Sequence, residues 1–408
     1  MAIAAVDAAA PLPRDASAPP PVLAGWALFD TRVALGDLAN SAAAVVSKTT
    51  NGREVRVSLR LAKPPAASCV ELYTDDEVFT NPSILSTDGD LILLHMVVAV
   101  KGMYYVKFPH NFFVYKADPE WPRMQSLPPP CDPIVRAEHT GIARSGEDFV
   151  LANLMSHDVF DDTDMRKVEV AFLQLYRSET EQWETKRLRM PIQPENGLEE
   201  YQWETDTVFS FRGFVCWVDY HHGILYCNVF SPDPDLAFLR FPGVEMWSND
   251  RGLPTRYRTV SICRGHLKFV DVDNGQFRST ERGNNGAIER ANSGCSIRTW
   301  TLKMPGFKWE EDMALGLEEL LSLRSYQDSP LPRVVPTYPV ISLQKANVLH
   351  FIVKGPGLFD KAWMVTFDMK KKSLEQHALY ENPMEEDCAA GLGNVFPDSP
   401  MVSIQLFK

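Results

Sequence analysis

Short apolar segments joined by tight turns mark the middle of the chain, over residues 207–243. There Val215, Trp217 and Tyr220 are separated by smaller or polar residues, and Gly223 stands where a turn would interrupt the alternation. A period of two residues predicts β-strands, because successive side chains of a strand point to opposite faces. Turns placed this close together predict that the strands pair as antiparallel hairpins.

The same kind of strand recurs along the chain. Five segments begin at a small or turn-forming residue and continue as an apolar strand, and they start at Gly89, Glu147, Gly213, Gly265 and Ala346. Second segments that carry a turn follow several of them, starting at Asn111, Val170, Leu236 and Ala362. A small twisted sheet must stack on its neighbours to bury its faces, so the repeat predicts a β-propeller. Its irregular spacing leaves a solenoid of irregular sheets and a β-sandwich pair as alternatives.

One segment departs from the strand pattern. Between residues 309 and 326 the apolar side chains recur at helical spacing, as Trp309, Met313 and Leu317 do, while Glu318 lies on the other face. This spacing predicts one amphipathic helix that packs on a sheet edge or between sheets, with partner docking as the alternative. The expected fold is therefore mainly β, a propeller-like repeat of short antiparallel sheets with one amphipathic helix near 309–326.

Composition separates a short N-terminal segment from the rest of the chain. Residues 1–24 are rich in alanine and proline, a composition that buries little and predicts disorder. Residues 25–408 are predicted to form a single β-rich, propeller-like domain. The hydrophobic content of 45% and the charged content of 23% are ordinary for a globular protein of this kind.

Charge and cysteine content narrow the classes of partner and compartment. A formal net charge of −12 argues against nucleic-acid binding, which needs basic groups to replace the counterions of the phosphates. The longest apolar run, residues 91–100, is too short to cross a membrane. The seven cysteines form no C-x-x-C pair, which favours free thiols in the cytoplasm or nucleus. Cys216 and Cys227 lie in apolar strands and are expected to be buried and inert.

The segment Tyr220-His221-His222, directly after Asp219, has the most suggestive chemistry. A metal site would need a third ligand, and a general base would need a nucleophile nearby. Neither is evident in the sequence, and two adjacent side chains point to opposite sides. We therefore predict an exposed turn between strands, with Tyr220, His221 and His222 as a candidate loop that faces a partner.

Other polar clusters are interpreted as ordinary surface features. The four aspartates within residues 158–164 would lie at a hairpin tip, where carboxylates can bind calcium, although a solvated loop is more common. The segment that begins at Asp271 has the wrong register for an EF-hand, and Asn274-Gly275 predicts a hairpin turn instead. We predict no catalytic residues, no metal site and no cofactor.

Several of these segments together resemble a known family. The sequence C-W-V-D at 216–219, followed by G-I-L-Y-C-N-V at 223–229, is similar to the signature of the plant domain-of-unknown-function 1618 family, which is greatly expanded in grasses. Residues 56–61 and 331–340 resemble further segments of the same family. The family-defining part would be about 217–339. The resemblance implies a β-rich fold similar to the partner-presenting modules of plant F-box proteins, and it supplies no catalytic residues. The family usually has a large or basic residue where this chain has His221-His222.

Two classes of function follow from these observations. The first is a non-enzymatic interaction module that binds a protein partner through loops on one face of the propeller. The second is an enzyme, with Asp219 or Asp271 as acids of a hydrolase at the mouth of a central channel. A small-molecule sensor is a third possibility, which the sequence does not separate from the first.

Overall fold

A computed structural model of the chain describes residues 25–36, 38, 44–104, 108–118, 120–130, 136–161, 166–191, 203–243, 252–274, 280–282, 288–290, 295–357, 360–380 and 401–405. The predicted disorder of residues 1–24 and the acidic segment around residues 162–165 lie outside this part, as does most of the Asn274-Gly275 turn.

The described residues form 27 strands and two short α-helices. The strands of the first half are β1 (Trp26–Leu35), β2 (Val45–Lys48), β3 (Glu54–Arg60), β4 (Ser68–Thr74), β5 (Val78–Asp88), β6 (Leu91–Val98), β7 (His110–Lys116), β8 (Arg123–Ser126), β9 (Thr140–Ser145), β10 (Asp148–Asp161), β11 (Arg166–Arg177) and β12 (Gln182–Arg189). Those of the second half are β13 (Thr207–Phe211), β14 (Phe214–Asp219), β15 (Gly223–Asn228), β16 (Leu236–Arg240), β17 (Arg258–Cys263), β18 (His266–Asp273), β19 (Thr280–Arg282), β20 (Ile288–Arg290), β21 (Ser296–Lys303), β22 (Lys308–Gly316), β23 (Thr337–Ile341), β24 (Val348–Lys354), β25 (Ala362–Asp368), β26 (Ser373–Tyr380) and β27 (Met401–Gln405). The helices are α1 (Leu317–Ser322) and α2 (Arg324–Gln327).

These strands assemble into six blade-like sheets within the described residues. Four are separate antiparallel sheets of four strands: blade III (β9–β12), blade IV (β13–β16), blade V (β17, β18, β21, β22) and blade VI (β23–β26). A nine-stranded sheet supplies the other two, blade I (β27, β1, β4, β3, β2) and blade II (β5–β8). Blades I and II join through one backbone pair, Arg32 with Ser83. The two-stranded sheet β19–β20 lies between β18 and β21 in sequence.

Six buried apolar clusters join the blades into a propeller-like ring. Each cluster draws residues from two neighbouring blades, and the last one connects blade VI back to blade I. Representative members, from junction I–II round to junction VI–I, are Phe29 and Ile92, Leu93 and Tyr176, Leu173 and Trp217, Val218 and Phe269, Val270 and Phe351, and Met364 and Leu28. The predicted mainly β, propeller-like repeat is confirmed.

The second strand of a blade is apolar on both faces because it packs against the blades on either side. In β14, Val215 and Trp217 pack towards blade III, whereas Cys216 and Val218 pack towards blade V. Both faces of such a strand are covered, so its sequence is a continuous apolar run rather than a strict alternation. All five segments found by the repeat search are second strands of this kind, namely β6, β10, β14, β18 and β24.

Tight turns lead into two of these second strands. Arg212 and Gly213 have φ angles of 52° and 85°, and Arg264 and Gly265 have φ angles of 50° and 76°. Two successive residues with positive φ are the pattern of a type I′ hairpin turn, whose twist matches that of the flanking strands. Glycine tolerates this conformation without a steric cost, which explains its position at the start of the repeats.

The ring closes through residues that are far apart in sequence. Strand β27 pairs antiparallel with β1, so the end of the described chain completes the blade that its beginning started. Beside this junction the buried Asp30 carboxylate accepts a hydrogen bond from the Tyr380 hydroxyl of blade VI and from the Arg32 guanidinium. Burial is the main cause that raises the pKa of Tyr380, so the phenol stays protonated and can donate.

The prediction of a helix near 309–326 is wrong in its first half. Residues 308–316 form β22, which pairs with β21 and completes blade V, and helical structure begins only at Leu317. Met313 and Leu315 pack towards blade VI, whereas Trp309 packs towards blade IV, because a β-bulge in the β21–β22 ladder lies between them. This irregular strand spacing also fits a helix, so the pattern was ambiguous. The free edge of β21 decides between the two, because its backbone groups need partners.

Two buried histidines make the fold sensitive to acid. Burial lowers the pKa of His95 to about 3 and that of His350 to about 4, below the ordinary 6.5. Below pH 6.5 the unfolded chain binds more protons at these two histidines than the folded chain does. The histidines therefore cost no stability above pH 6.5, and the free energy of unfolding falls as the pH falls from 6.5 towards 4. We expect a loss of about 1.4 kcal/mol per pH unit for each histidine.

Urea unfolding at pH 7, 6, 5 and 4.5 measures this effect. His350→Gln should flatten the dependence on pH, whereas the same change at the exposed His377 should leave it as it is. Equal slopes for the two variants would show that His350 is not the titrating group.

Candidate functional site

A channel of about 350 Å³ runs between the innermost strands of the ring. Strands β13, β17 and β23 are edge strands of their sheets among the described residues, and each contributes residues to the channel lining. The lining comprises Ile84–Asp88 of β5, Thr207–Ser210 of β13, Arg258–Ile262 of β17, Tyr338 and Pro339 of β23, and Thr31, Gly89, Tyr220, Thr255 and Leu343. The channel therefore collects residues from five of the six blades.

Hydroxyl groups dominate the polar part of this lining. They come from serine and threonine side chains on every lining strand except β23, including Thr87, Thr207 and Ser261. Two of the serines, Ser86 and Ser210, are buried, and their Oγ atoms have no hydrogen-bond partner among the described residues. Unpaired buried hydroxyls are uncommon in folded proteins.

One end of the channel is built around Arg258, the first residue of β17. Its Nε donates to Asp271 Oδ1 at 2.7 Å, and its Nη1 donates to the carbonyl oxygen of Tyr220 at 2.8 Å. The Tyr220 hydroxyl accepts a hydrogen bond from the backbone N–H of Val260 at 3.3 Å, and burial raises the pKa of this phenol. These bonds tie the turn of blade IV to the inner strand of blade V.

The turn at Tyr220-His221-His222 is confirmed, but its predicted exposure is wrong. All three residues are buried, because blade V covers the turn from one side and Trp203 covers it from the other. His221 Nδ1 lies 3.4 Å from Arg258 Nη1, whereas His222 Nδ1 lies 2.9 Å from Asp219 Oδ2. The two rings thus have different neighbours, and neither offers much surface to a protein partner.

Asp219 and Asp271, the acids of the hydrolase hypothesis, both hold parts of the fold together. Asp219 is fully buried and accepts hydrogen bonds from the backbone N–H groups of Glu204 and His221, both at 2.9 Å. Asp271 is paired with Arg258. Among the residues that the structure describes, no group of three His, Cys, Asp or Glu side chains is arranged to hold a metal ion.

The two cysteines of the central hairpin are buried, as predicted. Burial raises the pKa of both thiols, to about 12 for Cys227. A thiol with a raised pKa stays protonated near neutral pH and is a poor nucleophile. In the described part of the chain, moreover, no helix has the length and apolarity needed to cross a membrane.

Sequence reasoning missed Arg258, Ser86 and Ser210. Each is a polar residue within an inner strand. The sequence offered no signal for them, because their burial depends on neighbouring blades and serine is common in strands and in turns. The channel itself depends on five blades meeting, which a local pattern does not show.

A group of exposed apolar side chains lies at one edge of blade II. The connection from β6 to β7 presents Met103 and Tyr104 to solvent, and Tyr104 is 79% exposed. Phe79 of β5 is 51% exposed and packs edge-on against Phe108 at 5.0 Å between ring centroids. We call these four residues the aromatic edge. It is an apolar group exposed on a protein whose remaining apolar residues mostly fill the blade junctions.

The central hairpin has a constraint that explains its glycine. Gly223, the first residue of β15, pairs with Arg240 of β16, and a Cβ atom at this position would collide with the carbonyl oxygen of Leu239. Trp217 of the same hairpin is completely buried between blades III and IV. The motif that carried the family resemblance is therefore a closely packed element of the core.

Comparison with family models identifies this element. Residues 217–350 match the model described as protein of unknown function (DUF1618). The resemblance to the DUF1618 family is confirmed over these residues. The match begins at Trp217 and covers less than half of the 408 residues. It includes β15 to β23, which are the end of blade IV, all of blade V and the start of blade VI. No curated protein matches the chain.

Several solved structures match this chain at low similarity. Sqt1 from Saccharomyces cerevisiae is 8% identical, with a TM-score of 0.31 over 78% of this chain and 65% of that one. The GH32 β-fructofuranosidase from Bombyx mori is 13% identical, with a TM-score of 0.30 over 73% and 58%. A GH43 protein from Bacillus licheniformis is 12% identical, with a TM-score of 0.24 over 71% and 48%. This chain spans less than two thirds of each of their lengths, and likenesses this weak assign no activity.

Proposed function

We propose that the protein is a non-enzymatic interaction module that binds a protein partner through the aromatic edge. The observation that carries this proposal is the exposure of Phe79 at the start of β5 and of Met103 and Tyr104 in the β6–β7 connection. Aromatic residues and methionine are enriched in protein interfaces, where they supply large contact areas at a small cost in conformational entropy. An apolar group on an otherwise charged surface is a common mark of an interaction site.

The absence of enzymatic activity is supported by the way in which the acids are used. Asp219 accepts two backbone N–H groups, and Asp271 is bound to Arg258. A general acid or base needs a proton that it can exchange with a substrate, whereas these carboxylates are held by bonds within the fold. The rigid ring would then serve to hold the aromatic edge in a fixed position.

A photo-crosslinking experiment tests the proposed surface. Benzoylphenylalanine at position 104 should capture one reproducible partner protein from cell extract, and the same probe at position 79 should capture the same protein. Position 121 provides the matched control, because Trp121 is 74% exposed but lies in a different loop of the same blade.

A substitution within the aromatic edge distinguishes an effect on the interface from an effect on the fold. Met103→Asp should abolish capture at position 104 without changing the urea midpoint, because the side chain is exposed. Capture of the same proteins from position 121, or no loss with Met103→Asp, would show that the aromatic edge is not the interface.

A further inference from the structure

We propose that a cavity at the junction of blades IV and V is the docking site for an acidic peptide segment of a partner protein, which inserts one apolar side chain. The cavity has a volume of about 50 Å³, and we call it the junction cavity. Met304 and Phe307, in the turn between β21 and β22, border it and are 42% and 44% exposed, so it is accessible from the surface. It lies in other blades than the aromatic edge and does not depend on the partner proposed for that surface.

The lining of the junction cavity favours an apolar occupant. Phe214 of blade IV borders it together with Leu267 and Leu302 of blade V, and the rings of Tyr226 and Phe307 stack at 6.0 Å between centroids. The surface of the lining is apolar throughout. The cavity is several times larger than the roughly 10–15 Å³ that one water needs, yet an apolar cavity stays dry because water finds no hydrogen-bond partners in it. An apolar side chain would fill it and gain contacts that water does not make.

Basic side chains surround the mouth of this cavity, on a protein whose formal net charge is −12. They are exposed, come from three hairpin tips of blades IV and V, and are Arg212, Arg264, Lys303 and Lys308. Arg212 itself borders the cavity, and its Nη2 donates to the carbonyl oxygen of Gly265 at 3.1 Å. This bond holds the tips of the two blades together, so the basic side chains and the cavity form one surface.

The carboxylates of the protein leave most of this positive charge unpaired. Glu310 lies 3.6 Å from Lys303, and both side chains are more than half exposed, so this pair contributes little. Among the residues that the structure describes, no carboxylate lies within ion-pair distance of Arg212, Arg264 or Lys308. Charge complementarity therefore favours a partner segment that carries aspartate or glutamate.

The combination of charge and cavity favours a peptide over other ligands. A nucleic acid would meet the basic side chains but would leave the apolar cavity empty, and a neutral apolar peptide would leave the basic side chains unused. The acids of the neighbouring β15–β16 connection, Asp233 and Asp235, belong to a segment that is bonded to blade III, where Lys186 donates to the carbonyl oxygen of Pro232. The acidic part of the partner is therefore expected to lie over blade V.

Selection from a random peptide library displayed on phage tests the inference on the full-length protein. We expect the enriched peptides to combine a leucine, methionine or aromatic residue with neighbouring aspartates or glutamates. Fluorescence anisotropy should show binding about tenfold weaker when the apolar residue is replaced by alanine, or when the acids are replaced by their amides. Enrichment of basic or uncharged peptides, or no enrichment at all, would overturn the proposal.

Variants of the protein assign the binding of a selected peptide to the junction cavity. We expect Lys308→Glu and Phe307→Ala each to weaken it about tenfold, because the first reverses a charge at the mouth and the second removes a side chain that the docked residue contacts. Both positions are exposed, and an unchanged urea midpoint would confirm that the variants fold. The controls are Lys361→Glu beside β25 and Tyr104→Ala in the aromatic edge, which should bind as the parent does. Unchanged affinity in both cavity variants, or a loss with Tyr104→Ala, would overturn the assignment of the site.

Vesicles distinguish a peptide from a membrane surface, which also combines negative charge with apolar groups. We expect no co-sedimentation with phosphatidylcholine vesicles, whether or not they contain phosphatidylserine, because the cavity is concave and accommodates a single side chain. Co-sedimentation with the phosphatidylserine vesicles that Phe307→Ala abolishes would assign this surface to a membrane and overturn the peptide.

Discussion

Replacing Trp217 by alanine is expected to lower the free energy of unfolding by about 3–5 kcal/mol. The side chain is completely buried in the cluster that joins blades III and IV. Its Nε1 also donates to the carbonyl oxygen of His139 in blade III at 2.8 Å. The substitution therefore leaves a cavity at a blade junction and removes a hydrogen bond across it.

Urea unfolding followed by circular dichroism measures this loss. Trp217→Phe should have a smaller effect, because the ring still fills much of the space although the carbonyl oxygen of His139 loses its donor. Trp121→Ala removes the same side chain from an exposed position and should change stability by less than about 0.5 kcal/mol. If Trp217→Ala and Trp121→Ala had similar midpoints, the junction would not contribute to global stability as we infer.

The positions of the strands could be predicted because they depend on local sequence. A second strand such as β14 is apolar on both faces, and the type I′ turn before it is marked by Gly213. Neither feature requires knowledge of distant residues. The same holds for the burial of Cys216 and Cys227, which follows from the apolar residues on either side of them.

The burial of the His221-His222 turn could not be predicted from the local sequence. A turn with polar side chains is normally solvated, but here Arg258 of the next blade and Trp203 cover it. Similarly, the edge of β21 converts residues 308–316 from a possible helix into β22. In both cases the deciding partner comes from another part of the blade or from its neighbour, and the local pattern carries no information about it.

The channel is the feature that the sequence predicts least. Ser86 and Ser210 lie in different blades, and their hydroxyls are buried without a partner among the described residues only once the ring has assembled. The pairing of β1 with β27, which closes the ring, likewise joins residues that are far apart in sequence. Long-range pairing of this kind is a property of the assembled sheets, and the ends of the chain give no local sign of it.

Replacing Arg258 by methionine is expected to lower the free energy of unfolding by about 3 kcal/mol or more. Methionine keeps most of the apolar stem, so the change chiefly removes the charge. Asp271 would remain as an unpaired carboxylate that is only 17% exposed, and the carbonyl oxygen of Tyr220 would lose its donor. The cost should lie near the lower end of the range for buried ion pairs, because water still reaches Asp271.

A double-mutant cycle with Asp271→Asn distinguishes this pair from general disruption of the channel wall. Once Arg258 is gone, removing the carboxylate should cost less than it does in the parent, with a coupling energy of about 1–3 kcal/mol. The exposed pair Arg324–Asp328 is the matched control, and Arg324→Met should cost less than 1 kcal/mol. Additive effects of Arg258→Met and Asp271→Asn would mean that the carboxylate is independent of the guanidinium. Asp271 would then be free to act on a substrate, and the hydrolase hypothesis would regain the acid that the ion pair takes from it.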